Sequence, residues 1–174
     1  MMDVSQLTGA KAAESIRHVF LLPDNQYCVD CKGPLPEWAS IGFGTFVCIQ
    51  CAGYHRSLGT HITLVRSVKL DAWDQESSYI EAMELGGNKN FNSYTESLAK
   101  SNDDIYDEKC QKYYEKYQNP KLLYYSEVIK SKLEGREPKP FDLEEWCEVA
   151  QPHSPPKSSL QSENDFISSA SKVW

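Results

Sequence analysis

Cys28, Cys31, Cys48 and Cys51 stand in the pattern C-x2-C-x16-C-x2-C. A two-residue gap lets both thiolates of a pair reach one cation, and the intervening loop can bring the second pair to the same ion. The predicted chemistry is tetrahedral thiolate ligation of Zn2+, with softness and redox inertness favouring zinc over iron. Four protein ligands leave no position open for water, so such a metal organises the fold and does not activate a substrate. Cys110 and Cys147 are solitary and carry no functional assignment.

Five residues beyond the last ligand comes Arg56. No Asp or Glu occurs between Glu37 and Asp71, whereas Arg56, Arg66 and Lys69 fall there together with His55 and His61. This is a local basic window, and a planar, permanently charged guanidinium suits a phosphate partner. An arginine on a helix also commonly serves as half of a surface ion pair, and spacing alone leaves both readings open.

The elements that must position these groups follow from periodicity. Leu7, Ala10, Ala13, Ile16, Val19 and Phe20 recur at helical spacing and Pro23 forbids continuation, predicting an amphipathic helix over about 4–21. A turn at 33–36 leads into a predicted strand over Ile41–Ile49, and a second strand is expected over Thr63–Val68. Between them, Cys51–Leu58 reads as a short helix stopped by Gly59, which would carry Arg56. Asp71 can cap a helix holding Trp73, Ile80, Met83 and Leu85 inward, ended by Gly86-Gly87. Further helices are expected at about 88–99, 104–117 and 120–134, the last opened by Pro120 and closed by Gly135, with Leu122, Tyr125, Val128, Ile129 and Leu133 on one side. The fold class is therefore α+β: a zinc-stapled unit with a small sheet of about three strands flanked by helices. The domain is expected to span 1–140, followed by a tail over 141–174, first acidic and then rich in Ser and Pro, that reads as flexible.

Composition limits the function classes. The chain has 174 residues, 40% hydrophobic and 25% charged, enough for one domain with a packed core. Its formal charge of −7 argues against a broad electrostatic hold on nucleic acid. Apolar runs fall short of the roughly 20 residues needed to cross a bilayer, and the amino terminus lacks a signal-peptide pattern, so a cytosolic or nuclear location with reduced thiols is expected.

The extended pattern C-x2-C-x16-C-x2-C-x4-R resembles the signature of the GTPase-activating proteins for ADP-ribosylation-factor (Arf) GTPases. Trp38-Ala39-Ser40, Gly44, the run Cys51–His61, the run Val65–Trp73 and Gly87-Asn88 are similar to that family's core, and the likeness covers about 5–135. It implies a zinc module that accelerates GTP hydrolysis on a GTP-bound partner. Arg56 matches the arginine finger, which would enter the GTPase site in trans and neutralise charge on the transferring γ-phosphoryl group. The GTPase brings its own GTP, Mg2+ and water-positioning glutamine. Trp38 and Asp71 match positions near the GTPase-facing surface, and Ile41, His55, His61 and Lys69 are candidates for building it. Tyr54 departs from the smaller or differently polar residues common at its position. The resemblance further implies a role in vesicle traffic, with cytoplasmic protein recruited peripherally to Golgi or endosomal membranes.

Phe166, Ile167, Ala170, Val173 and Trp174 lie at helical spacing opposite Ser168, Ser169 and Ser171, the pattern of an interfacial helix with an uncharged polar face. Peripheral membrane contact is thus an alternative to a simple flexible tail. Two other functions compete with GTPase activation. A GATA-like nucleic-acid-binding finger shares the paired cysteines but needs more Lys and Arg than this window supplies. A non-catalytic scaffold would keep the fold and bind a GTPase or coat protein without activating it.

Overall fold

The computed structural model describes residues 4–73, 77–100 and 116–149. Helix α1 (Val4–Phe20) buries Ile16, Val19 and Phe20 and ends before Pro23. Its last carbonyls are capped by side chains: Asn25 Nδ2 donates to Val19 O at 2.8 Å and Gln26 Nε2 to Phe20 O at 2.6 Å. The first cysteine pair follows in a loop.

Three antiparallel strands come next: β1 (Trp38–Ser40), β2 (Thr45–Val47) and β3 (Val65–Ser67), in the order β2-β1-β3. Across the sheet Ala39 stands opposite Phe46 on one side and Arg66 on the other. The predicted strand over 41–49 is therefore corrected. Ile41–Phe43 form a 3-10 turn, and strands lie on either side of it. The glycines are the physical reason: Gly44 adopts φ +58°, and a Cβ on Gly42 would sit 2.4 Å from the Ile62 carbonyl. The strand expected over 63–68 shortens because Thr63 turns its hydroxyl to Ser40 Oγ (2.7 Å) and the Gly42 amide (3.0 Å).

Helix α2 (Ile49–Ser57) starts two residues earlier than predicted, since Cys48 is its N-cap and its sulfur accepts from the Cys51 amide at 3.5 Å. Among the described residues, Asp71 caps no helix. Its carboxylate accepts from the Ser67 amide at 2.6 Å, and helix α3 (Ser77–Leu85) begins six residues later. Helix α4 (Asn88–Lys100) and helix α5 (Pro120–Leu133) match the expected spans, α5 being capped by Asn119 Oδ1 on the Lys121 amide at 2.9 Å. Of the expected apolar side of α5, Leu122, Tyr125 and Ile129 are buried. The helix expected over 104–117 and Cys110 lie outside the described residues, apart from Lys116 and Tyr117, which are helical. Within the acidic segment, helix α6 (Leu143–Val149) packs on α5, with Phe141 and Trp146 meeting the Tyr124 ring edge-on at 5.3 and 5.8 Å. Among the described residues, no helix is long and apolar enough to cross a membrane.

The core joins sheet and helices through Phe43, Phe46, Phe91, Tyr117 and Leu122. Strand β2 is an edge strand, and Asn88 closes its open side as a backbone would. Asn88 Oδ1 accepts from the Phe46 amide at 2.7 Å, while Nδ2 donates to Tyr27 O at 2.7 Å and Phe46 O at 3.2 Å. Asn88→Ala strands these buried groups, and the expected loss is about 2–4 kcal/mol, read as a melting temperature lower by roughly 5–15 °C.

Candidate metal centre and the arginine beside it

The two cysteine pairs converge: the four sulfurs lie within 4.8 Å of one another, and Cys31 Sγ and Cys48 Sγ are 3.6 Å apart. Thiolates about 2.3 Å from a tetrahedral cation are separated by about 3.8 Å, so the donor set fits a single metal ion. All four are free thiols in the structure. Cys28 and Cys51 are buried, Cys48 is half-buried and Cys31 is exposed. Burial pushes the Cys28 thiol up, against amide hydrogen bonds from the knuckle that pull it down.

The first knuckle also holds a buried anion. The Asp30 side chain is 1% exposed, and Oδ2 accepts from His55 Nε2 at 2.9 Å. Oδ1 accepts from the Tyr117 hydroxyl at 2.7 Å and from Lys116 Nζ at 2.9 Å. Burial alone would raise this carboxyl, but the His55 hydrogen bond and the Lys116 charge outweigh it and hold the pKa at about 2. Burial and the adjacent Asp30 anion drive the Tyr117 phenol well above its ordinary value. His55 Nδ1 pairs with Ser40 Oγ at 2.8 Å, and its ring stacks at a tilt 4.4 Å from Tyr117.

His55 is fully buried and serves the interior, where it can support the expected partner-facing surface only from beneath. The next residue along the helix faces the other way. Arg56 is exposed, and its guanidinium carbon lies 4.3 Å from the centroid of the half-buried Trp38 ring. Among the described residues it forms no ion pair, unlike Lys69, which pairs with Glu37.

The remaining candidate residues divide. Ile41 is buried and lines a cavity of about 300 Å³ with the exposed His61 and Lys130 and the half-buried Tyr79 and Leu133. Asp71 is exposed yet spends one oxygen on the Ser67 amide, fixing the turn after β3. Two apolar residues were missed. Ile49 is 67% exposed and shares a helical face with Gly53 and Arg56, and Leu70 is 83% exposed next to Lys69. The signal for Ile49 was its seven-residue separation from Arg56, two helical turns.

Fold and site together define a class: a small α+β module built around a four-cysteine cluster that could hold a metal ion, with an arginine that has no ion-pair partner among the described residues presented on the helix that leaves it. A family model described as "Putative GTPase activating protein for Arf" matches residues 13–131. The chain belongs to this ArfGap family. It is 50% identical over 76 residues to ADP-ribosylation factor GTPase-activating protein effector protein 2 of Saccharomyces cerevisiae, covering 43% of this chain and 25% of that protein. It is 35% identical over 153 residues to ADP-ribosylation factor GTPase-activating protein 3 of Pongo abelii, covering 85% and 26% respectively. A crystal structure of a "putative GTPase activating protein for ADP ribosylation factor" from Cryptosporidium parvum is similar at TM-score 0.58 and 25% identity, over 74% of this chain and 93% of that one. The chain spans 24–40% of the length of the curated relatives it matches.

The buried anion has a direct consequence for stability. Asp30→Ala leaves His55, Tyr117 and Lys116 facing an empty site, and a loss of about 3–5 kcal/mol is expected in denaturant unfolding at neutral pH.

Proposed function

We propose that this protein stimulates GTP hydrolysis by Arf-family small GTPases, with Arg56 as the arginine finger supplied in trans. The observation that carries the reading is an exposed guanidinium with no ion-pair partner among the described residues, one turn beyond a metal-ligating cysteine. In an acidic protein, an arginine on a pinned helix with no ion-pair partner among the described residues is a group available to an external anion. Family membership supplies the kind of anion: the triphosphate of a bound GTP.

The division of labour follows from what the chain holds. Arg56 donates to γ-phosphoryl oxygens as charge builds on them, and a planar fork gives two directed hydrogen bonds where an ammonium gives a point charge. Trp38 carries the guanidinium until the partner arrives, and the exposed Ile49 shares the helical face of Arg56. Mg2+ and the glutamine that orients the attacking water belong to the GTPase. A trans arginine is worth about 10³–10⁵ in rate, roughly 4–7 kcal/mol of barrier.

The ion proposed for the cysteine cluster is Zn2+, which supplies structural cross-linking and no substrate chemistry when bound. Cys28, Cys31, Cys48 and Cys51 would hold it, clamping the first turn of α2 to the loop after α1. We place the protein in the cytoplasm, acting at Golgi or endosomal membranes in vesicle traffic. The Ser-rich residues beyond 150, outside the described residues, are the candidate for peripheral membrane contact.

Two measurements test this. Single-turnover GTP hydrolysis by a soluble, truncated Arf should be strongly stimulated by the protein and should fall nearly to the basal rate with Arg56→Lys at matched metal content. Near-normal stimulation by that variant removes the finger; intact binding to GTP-loaded Arf without stimulation by wild type moves the protein to the scaffold class. For the metal, one zinc per chain is expected, and a chelator or Cys48→Ala should abolish the cooperative melt of the region around α2. An unchanged melting temperature would show the cluster to be dispensable.

A further inference from the structure

We infer that Asp30, His55 and Ser40 are positioning residues for Arg56, fixing the turn of α2 that carries it against β1. The inference rests on the GTPase-activating reading and deepens it by naming the groups that set the finger's geometry. Two adjacent residues of α2 contact two residues of β1 that share one face of the strand. Ser40 Oγ lies 2.8 Å from His55 Nδ1, and the Trp38 ring lies beneath Arg56 with 4.3 Å between guanidinium carbon and ring centroid. One contact is buried and polar, the other exposed and stacked. Together they set both the height of α2 along the strand and its rotation about its own axis.

The second imidazole nitrogen fixes the same turn to the first knuckle. His55 Nε2 donates to Asp30 Oδ2 at 2.9 Å, and Asp30 sits between the metal-ligating Cys28 and Cys31. Because Oδ1 is engaged by Tyr117 and Lys116, the carboxylate has no free oxygen with which to swing toward another partner. Ser40 is held in turn by Thr63 Oγ1 at 2.7 Å. The cysteines locate the first turn of α2; this network locates the next one, where the finger leaves the helix. His55, Ser40 and the Asp30 side chain are at most 1% exposed, so none of them can touch a docked GTPase. Any effect they have on hydrolysis passes through the placement of Arg56, and a misplacement near 1 Å is enough to cost about 10²-fold in rate.

The test is GTP hydrolysis on soluble GTP-loaded Arf over a range of GTPase concentrations, giving kcat and KM. Alongside it, metal content and binding stoichiometry toward Arf loaded with a non-hydrolysable GTP analogue report the folded fraction. Ser40→Ala, which buries no new charge, and Asp30→Asn are expected to lower kcat by about 10–100-fold with KM within about twofold of wild type and full stoichiometry. His55→Gln, which keeps a donor toward Asp30, should retain more kcat than His55→Leu. Unchanged kcat in Ser40→Ala at full stoichiometry overturns the positioning role, and this variant decides the matter if Asp30→Asn does not fold. Absence of stimulation by wild type is a different result: it overturns the GTPase-activating reading and the positioning role with it.

Discussion

Two cysteine pairs separated by a sixteen-residue loop must meet at one point, and the arrangement of the rest of the domain follows from that meeting. The loop between them cannot be slack, because it has to supply the first two strands and a turn before reaching the second pair. Cys48 then serves twice, as a candidate ligand and as the N-cap of α2, so the direction of the helix is set at the sulfur cluster itself. Burial alone would not achieve this. The α2 helix has few buried apolar residues, only Cys51 and Ala52 beside the polar His55, and a helix of this kind needs fixed ends to stay in place.

The polar interior around Asp30 complements the sulfur cluster. A buried carboxylate is costly unless every oxygen is matched, and here both oxygens are taken by donors from α2 and from the helical residues Lys116 and Tyr117, which ties those two stretches to the knuckle. Such a centre discriminates strongly between the native arrangement and a near miss, since a shift that breaks one donor leaves a charge or an imidazole unpaired. Apolar packing of Phe43, Phe91 and Tyr117 around it tolerates small shifts more readily. The aromatic cluster holds the domain together; the carboxylate holds it in register.

The sequence made visible what depends on local spacing. The pairing of the cysteines into one cluster, the ends of α1 and α5, and the placement of Arg56 on a short helix all follow from residue intervals and from Pro23, Pro120 and Gly135. Features decided by which side of an element faces inward were hidden. His55 and Arg56 are neighbours with opposite fates, and nothing in their residue types says which one the domain buries. Asp30 was overlooked because an aspartate within a knuckle loop reads as solvated until the donors around it are known. Strand β1 was missed for a related reason: Trp38-Ala39-Ser40 is short and follows two prolines, while the more apolar run after it contains the glycines that bend it into a turn. Asp71, with the composition of a helix cap, is satisfied by a closer amide at Ser67.

The stacking of Arg56 on Trp38 raises the question of whether the ring shelters the proposed finger or withholds it, and magnitudes answer it. An exposed cation–π contact contributes about 0.5–1 kcal/mol. The transition-state stabilisation asked of a trans arginine is roughly 4–7 kcal/mol, several times larger. The contact is therefore too weak to act as a lock, and its release barely lowers the gain. It is strong enough to bias a side chain whose rotamer entropy is about 2 kcal/mol toward conformations that project along the exposed face of α2. On the proposed reading, Trp38 narrows the search that the guanidinium would make for a docking GTPase, above a backbone tied to Ser40 and Asp30 through His55.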